Sequence, residues 1–122
     1  MKIVIQIFCL PYEIDELENT LNQLRKASYY IDKSKEWIID VCMCTSDDMV
    51  NWSKSSLPKK YFEDRLMKLS WQTDWCIKNF RTSDKIKGCV SHRRFCLKHY
   101  EHTQYFIWLD TDIIFDERTL SY

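Results

Sequence analysis

Two carboxylates at the end of an apolar run are the residues of this sequence best suited to chemistry. Asp110 and Asp112 directly follow the apolar and aromatic residues 105–109, which have the composition of a strand. Two neighbouring carboxylates repel each other unless a cation or a basic group lies between them. Mg²⁺ and Mn²⁺ prefer such hard oxygen ligands and commonly complete their shells with substrate phosphates. The pair therefore predicts a Mn²⁺ or Mg²⁺ site, with a plain polar turn or a helix cap as the alternative.

Polar clusters also follow two earlier apolar runs of the chain. In open α/β sheets, ligands bind outside the carboxyl ends of the strands. If all three runs are strands of one parallel sheet, their polar ends meet at the edge that carries Asp110. The candidate site therefore also includes Pro11 and Tyr12, which follow the first run, and Asp47 and Asp48, which follow the second.

A group of basic residues comes shortly before the last apolar run. His92, Arg93 and Arg94 lie at the start of a predicted helix over residues 91–101. Guanidinium groups at a helix start could bind a diphosphate beside the metal. We therefore include Arg93 in the candidate site, while a solvated helix face is the ordinary alternative for each of the three.

The apolar pattern alternates between strand and helix periods along the chain. Dense apolar runs of eight residues or fewer are typical of strands buried in a parallel sheet, and apolar residues three and four apart indicate amphipathic helices. Residues 51–74 are less regular, although four apolar positions after residue 60 could line a helix face. The predicted strands are 3–10, 37–44, 105–109 and, more weakly, 75–80, and the predicted helices begin near Glu13, near Tyr61 and near Ser91.

This alternation predicts an α/β fold with a Rossmann-like, mainly parallel sheet and flanking helices. We expect the strands at 3–10, 37–44 and 105–109 to be buried neighbours. At 122 residues the chain has the size of one domain, which we assign to 1–122. We expect this domain to be truncated at its carboxyl end.

Composition and charge exclude several classes of function. Eighteen basic residues balance eighteen acidic ones, so the basic surplus of a general nucleic-acid or anionic-membrane binder is missing. A single glycine leaves no phosphate-binding loop of the Gly-rich kind. The first ten residues are too short an apolar run to cross a membrane. We therefore expect neither nucleic-acid binding nor membrane insertion.

The six cysteines are predicted to be free thiols. Cys9, Cys42 and Cys44 lie within apolar strand-like runs, where cysteine acts as a small hydrophobic residue, and no CxxC pair suggests a zinc site. No small-residue cleavage site of a signal peptide follows the first apolar run. Free thiols and this amino terminus together predict a cytoplasmic protein.

The apolar strand that ends in Asp110 and Asp112 resembles the Asp-x-Asp signature of glycosyltransferases with the GT-A fold, particularly the inverting family-2 type. The first strand with Pro11, and the second strand with its polar end, also resemble the first two strands of that family. The resemblance covers nearly all of this chain but only the first, nucleotide-binding half of a typical family member.

The resemblance implies that a divalent metal bridges the diphosphate of a sugar nucleotide to the Asp-x-Asp motif. Asp112 would then be the direct ligand, and Asp110 would contact the ribose or reach the metal through water. Pro11 and Tyr12 would border the nucleoside, and the base would hydrogen-bond Asp47 or Asp48. The acceptor is unknown, and no residue of this chain stands out as the catalytic base, which family members carry beyond this point.

Two other functions fit the same residues. Phosphotransferases of the haloacid dehalogenase type also use an Asp-x-Asp pair after a strand, but after their first strand rather than their last. A non-catalytic α/β domain could instead use exposed carboxylates or aromatics, such as Trp52, Trp71 and Trp75, to bind a partner protein.

Overall fold

A computed structural model of the chain describes residues 2–46, 57–116 and 118–121. Asp47, Asp48 and Trp52, which the sequence analysis singled out, lie outside the described residues. None of the helices described has the length and apolar character that crossing a membrane requires.

In the part of the chain that the structure describes, four parallel strands form a central sheet in the spatial order β3-β2-β1-β4. The strand bounds are Lys2–Cys9 for β1, Glu36–Cys44 for β2, Ile77–Ser83 for β3 and Tyr105–Leu109 for β4. This confirms the predicted α/β, Rossmann-like parallel sheet. The weakly predicted strand near residues 75–80 is also present, displaced toward the carboxyl end.

Within the described residues, three α-helices connect the strands. They are α1 at Ile14–Ala27, α2 at Lys59–Trp71 and α3 at Cys89–His99, and short 3₁₀ turns cover Pro11–Glu13 and Thr119–Ser121. Acidic residues in the first turn of α1 and basic residues in its last turn complement the helix dipole. Each helix begins within about two residues of its predicted start.

The helices cover opposite faces of the sheet. The larger core lies between the sheet, α1 and α2, and includes Ile5, Leu17, Ile39 and Leu66. The smaller core lies under α3 and joins Val4 and Ile38 to Cys96 and Tyr100. Side chains alternate between the faces of a strand, so successive residues of β1 and β2 supply the two cores in turn.

One expectation about the sheet was wrong. Strand β4 was predicted to be buried, but it is an edge strand whose Tyr105 and Trp108 are 58% and 49% exposed. Strands β1 and β2 have neighbours on both sides, which explains why their runs are longer and more apolar.

The chain changes direction across the sheet between β3 and β4. Strands β1 to β3 are laid down outward in one direction, and β4 then returns to pair with the free side of β1. The carboxyl ends of β1 and β4 therefore flank a topological switch point, the place where open α/β sheets bind ligands. Asp110 and Asp112 follow β4 at this point, and Pro11 and Tyr12 follow β1.

Candidate functional site

The two aspartates of the Asp-x-Asp pair lie on the surface, on either side of a buried residue. Asp110 and Asp112 are exposed, whereas Thr111 is 4% exposed. The main-chain carbonyl of Thr111 accepts a 2.7 Å hydrogen bond from the hydroxyl of Thr20, which is fully buried on α1. With Thr111 held inward, both carboxylates are presented to solvent at the same edge of the sheet.

Glu13 joins the ends of the two strands that flank the switch point. Its carboxylate accepts a 2.9 Å hydrogen bond from the main-chain amide of Leu10, after β1, through Oε1. Its Oε2 accepts a 3.1 Å hydrogen bond from the hydroxyl of Thr111, after β4. One side chain therefore sets the positions of the segments after β1 and β4 relative to each other.

The segment after the aspartates is also fixed to α1. Gln23 donates through Nε2 to the carbonyl of Ile113 at 3.3 Å, and its Oε1 accepts from the amide of Phe115 at 2.9 Å. Phe115 packs against the larger core. The chain that leaves Asp112 therefore folds back along α1 rather than across the face of the two carboxylates.

The residues after β1 divide between surface and interior. Tyr12 is 47% exposed, whereas Pro11 is buried at the start of the 3₁₀ turn. A ligand above the carboxyl end of β1 could therefore contact Tyr12 directly. Pro11 contributes the shape of the turn instead, because its ring fixes the backbone where β1 ends.

The basic residues of α3 have different surroundings. Arg93 is half-buried, and its guanidinium lies 4.4 Å from the centroid of the Trp108 ring. A small cavity beneath it is lined by both of these residues and by Asp110. Arg94 is exposed, but His92 is 1% exposed, so a solvated helix face is wrong for His92.

Three polar residues and one tryptophan form a row across the sheet beneath α3. Strand register places Trp108 beside Gln6, Gln6 beside Asp40 and Asp40 beside Asn79, one residue from each of the four strands. Gln6 is 3% exposed and Asp40 is fully buried. Neither residue was predicted to belong to a site, although each is a single polar residue within an otherwise apolar run.

Asp40 is the centre of a buried hydrogen-bond network. Its Oδ1 lies 2.8 Å from Nε2 of His92, and its Oδ2 accepts hydrogen bonds from Arg81 and from the hydroxyl of Tyr100. Asn79 donates to the same hydroxyl at 2.6 Å. A buried charge is tolerated when it is paired and hydrogen-bonded, and these contacts tie α3 to the two strands β2 and β3.

Three buried residues in this network could hold a metal ion. The ligand atoms of Asp40, His92 and Cys96 all lie within 4.8 Å of one another. Burial, with a smaller contribution from the negative charge of Asp40, raises the pKa of the Cys96 thiol to about 12. A metal would therefore have to displace the thiol proton and the hydrogen bonds that Asp40 already accepts.

All six cysteines are free thiols in the structure, as predicted. Cys9, Cys42, Cys44 and Cys96 are buried, and Cys89 at the start of α3 is exposed. Burial is the main reason that the pKa of Cys9 lies well above its usual range.

Comparisons of the chain with protein-family models, with curated proteins and with solved structures gave no match. The fold and the geometry of this edge of the sheet are therefore the observations that bear on function.

Proposed function

We propose that this chain is the nucleotide-sugar-binding domain of a metal-dependent glycosyltransferase that transfers a sugar from a nucleoside diphosphate sugar to an acceptor. The observation that carries the proposal is the exposure of Asp110 and Asp112 on either side of the anchored Thr111. The pair lies at the switch point of a parallel sheet, where ligand sites of this fold class occur.

The donor set fits Mn²⁺ or Mg²⁺ bound together with a diphosphate. In the described part of the chain, no group of three potential metal ligands includes Asp110 or Asp112. Two carboxylates leave most of a six-coordinate shell to other oxygens, which phosphate groups supply in many sites of this kind. When bound, the cation would neutralise the charge that develops on the departing nucleoside diphosphate.

Other residues of the edge would orient the nucleotide. Tyr12 offers an exposed aromatic ring beside the end of β1, suited to contact with the nucleoside. Arg93 presents a guanidinium close to Asp110, where it could pair with a phosphate oxygen. Asp112 would bind the metal directly, and Asp110 would bind the ribose or the metal through water.

Thermal melting with nucleotides tests this proposal. We expect UDP, GDP or CDP to raise the melting temperature only when Mn²⁺ is also present. The metal alone has too few protein ligands, and the diphosphate alone would face two carboxylates without a cation between them. At a hundredfold excess over the dissociation constant, the complex stabilises the fold by about 2.7 kcal/mol. Asp112→Asn should remove this shift and leave the unliganded melting temperature nearly unchanged, since the side chain is exposed.

Asp74→Asn is the matched control. Asp74 is also exposed, but it precedes β3 and therefore lies near the amino ends of the strands, away from the carboxyl ends that carry Asp112. This variant should keep the full shift. The proposal fails if no nucleotide gives a metal-dependent shift, or if Asp112→Asn behaves as the wild type does.

A partner-binding domain without catalysis is the second candidate. Trp71, at the end of α2, is 71% exposed and Met67 on the same helix is 47% exposed. Trp75, in contrast, is half-buried against the larger core. If nucleotides fail to bind while Trp71→Ser removes binding to a partner protein, this candidate replaces the first.

A further inference from the structure

Within the described residues, the buried amide group of Gln6 has no hydrogen-bond partner. The residue is 3% exposed, and neither Nε2 nor Oε1 has a partner within the residues that the structure describes. Leaving such a group unsatisfied costs on the order of 1–3 kcal/mol, and an apolar residue of similar shape would avoid that cost. The side chain of Gln6 is therefore better explained by a ligand than by packing.

The amide lines a small cavity next to the Asp-x-Asp pair. The cavity lies between α3 and the sheet, and its walls include Gln6, Phe8, His92, Arg93, Trp108 and Asp110. Its volume is about 10 Å³, close to the room that a single oxygen atom of a water molecule needs. Asp110 and Trp108 at its rim are exposed, so the cavity adjoins the surface where the nucleotide is proposed to bind.

The chemistry of the walls identifies the group that fits. The side-chain amide of Gln6 presents an acceptor oxygen beside an NH₂ donor group, so it can both accept a hydrogen bond from a hydroxyl and donate one to it. Arg93 adds further donors and Asp110 further acceptors at the rim. A phosphate oxygen or a carboxylate inside the cavity would use only the donors and would leave the amide oxygen of Gln6 without a donor.

We propose that Gln6 is a specificity residue that binds one hydroxyl of the nucleotide sugar in this cavity. This inference depends on the proposed function, because a metal and a diphosphate held at Asp110 would bring the hydroxyl into place. The hydroxyl belongs either to the ribose or to the transferred sugar, and both present the same chemistry to the amide. A trapped water molecule is the competing occupant.

Gln6→Met tests the proposal, because methionine keeps the length of the side chain and removes both polar atoms. The variant and the wild type are titrated, with Mn²⁺, with UDP, GDP and CDP, with their deoxyribose forms, and with UDP-glucose and GDP-mannose. We expect Gln6→Met to bind the preferred ligand about tenfold more weakly, a change of about 1.4 kcal/mol. Its unliganded melting temperature should equal or exceed that of the wild type, because an unsatisfied buried group has been removed.

The ligand series identifies the hydroxyl. If the ribose supplies it, the wild type prefers a ribonucleotide over its deoxy form and the variant loses that preference. If the sugar supplies it, the variant loses only the preference for the nucleotide sugar over the free nucleoside diphosphate. Gln104→Met is the control. Gln104 is exposed near the amino ends of β1 and β4, away from the cavity, so this variant should leave every affinity unchanged.

Three outcomes overturn the inference. Equal affinities of Gln6→Met and wild type for every ligand would mean that the amide binds only water. A lower melting temperature together with weaker binding would mean that Gln6 supports the fold. Absence of nucleotide binding by the wild type would overturn both the proposed function and this inference. In the first two outcomes the wild type still binds nucleotide, so the failures can be told apart.

Discussion

The hydroxyl of Thr20 and the main-chain carbonyl of Thr111 are joined by a 2.7 Å hydrogen bond between residues 91 positions apart in the chain. Both residues are buried, so the bond is shielded from water. It connects α1, which packs on the sheet, to the residue between the two proposed metal ligands. The position of the Asp-x-Asp pair is therefore determined by a helix from the first quarter of the chain.

Thr20→Val should destabilise the fold and weaken nucleotide binding. Valine has nearly the shape of threonine, but it leaves the buried carbonyl of Thr111 without its donor, at a cost of about 1–3 kcal/mol. Urea denaturation measures the loss, and melting with Mn²⁺ and nucleotide measures the smaller ligand shift. Thr73→Val is the control, because the Leu69 carbonyl that Thr73 contacts also accepts a main-chain hydrogen bond from Gln72. An unchanged ligand shift in Thr20→Val would show that this bond does not position the aspartates.

Asp40→Asn should be strongly destabilising although it changes few atoms. The buried carboxylate faces Arg81, His92 and the hydroxyl of Tyr100, and removing its charge leaves the guanidinium without a counter-ion. Removing one partner of a buried pair costs roughly 3–5 kcal/mol, which equilibrium unfolding in urea would detect. Glu63→Gln, the same change in a surface pair with Lys59, should cost less than about 1 kcal/mol. Similar stability losses in the two variants would contradict a charge-dependent network at Asp40.

Stability should fall as the pH rises above about 9. Burial raises the pKa of Cys42 from 9.0 to about 12, and the negative charge of Asp40 adds to the effect. Between these two values the unfolded chain loses the thiol proton while the folded protein keeps it, so unfolding becomes more favourable with increasing pH. Each such thiol contributes at most about 1.4 kcal/mol per pH unit.

Urea midpoints measured under reducing conditions from pH 7.5 to pH 11 test this prediction, because this range crosses the unfolded-state pKa of 9.0 and stays below the folded-state pKa of about 12. Cys42→Ser should have a flatter pH dependence than the wild type, even if it is less stable at neutral pH. Cys89→Ser should show the pH dependence of the wild type, because Cys89 is exposed and its replacement removes no buried thiol. A wild-type midpoint that stays constant over this range would contradict the prediction.

Local patterns in the sequence were sufficient to predict most of the elements. The dense apolar runs of β1 and β2 are typical of strands buried on both faces, and the spacing of Leu17, Leu21 and Leu24 reflects the helix period of 3.6 residues. Neighbouring residues alone express both signals. The same reasoning predicted the buried cysteines of β1 and β2, since a thiol within an apolar run needs no polar partner. It also predicted the position of Asp110 and Asp112 directly after a strand.

Some polar residues could not be interpreted without their neighbours. Asp40 and Gln6 each interrupt an apolar run, and nothing near them in the chain shows that one is fully paired and the other is not. In the part of the chain that the structure describes, Asp40 finds partners on α3 and β3, far away in sequence, and the amide of Gln6 finds none. Burial of His92 was missed for the same reason, because the basic residues that follow it are typical of an exposed helix face.

The sequence by itself determined the α/β alternation, the parallel sheet and the strand that delivers two aspartates. The tertiary structure alone decided that β4 pairs with β1, which creates the switch point, and that Glu13 and Thr20 hold Thr111 inward. Periodicity reports which face of an element is buried, but it contains no information on which other element covers that face. That choice depends on contacts between segments about 90–100 residues apart, and these contacts form only when the chain folds.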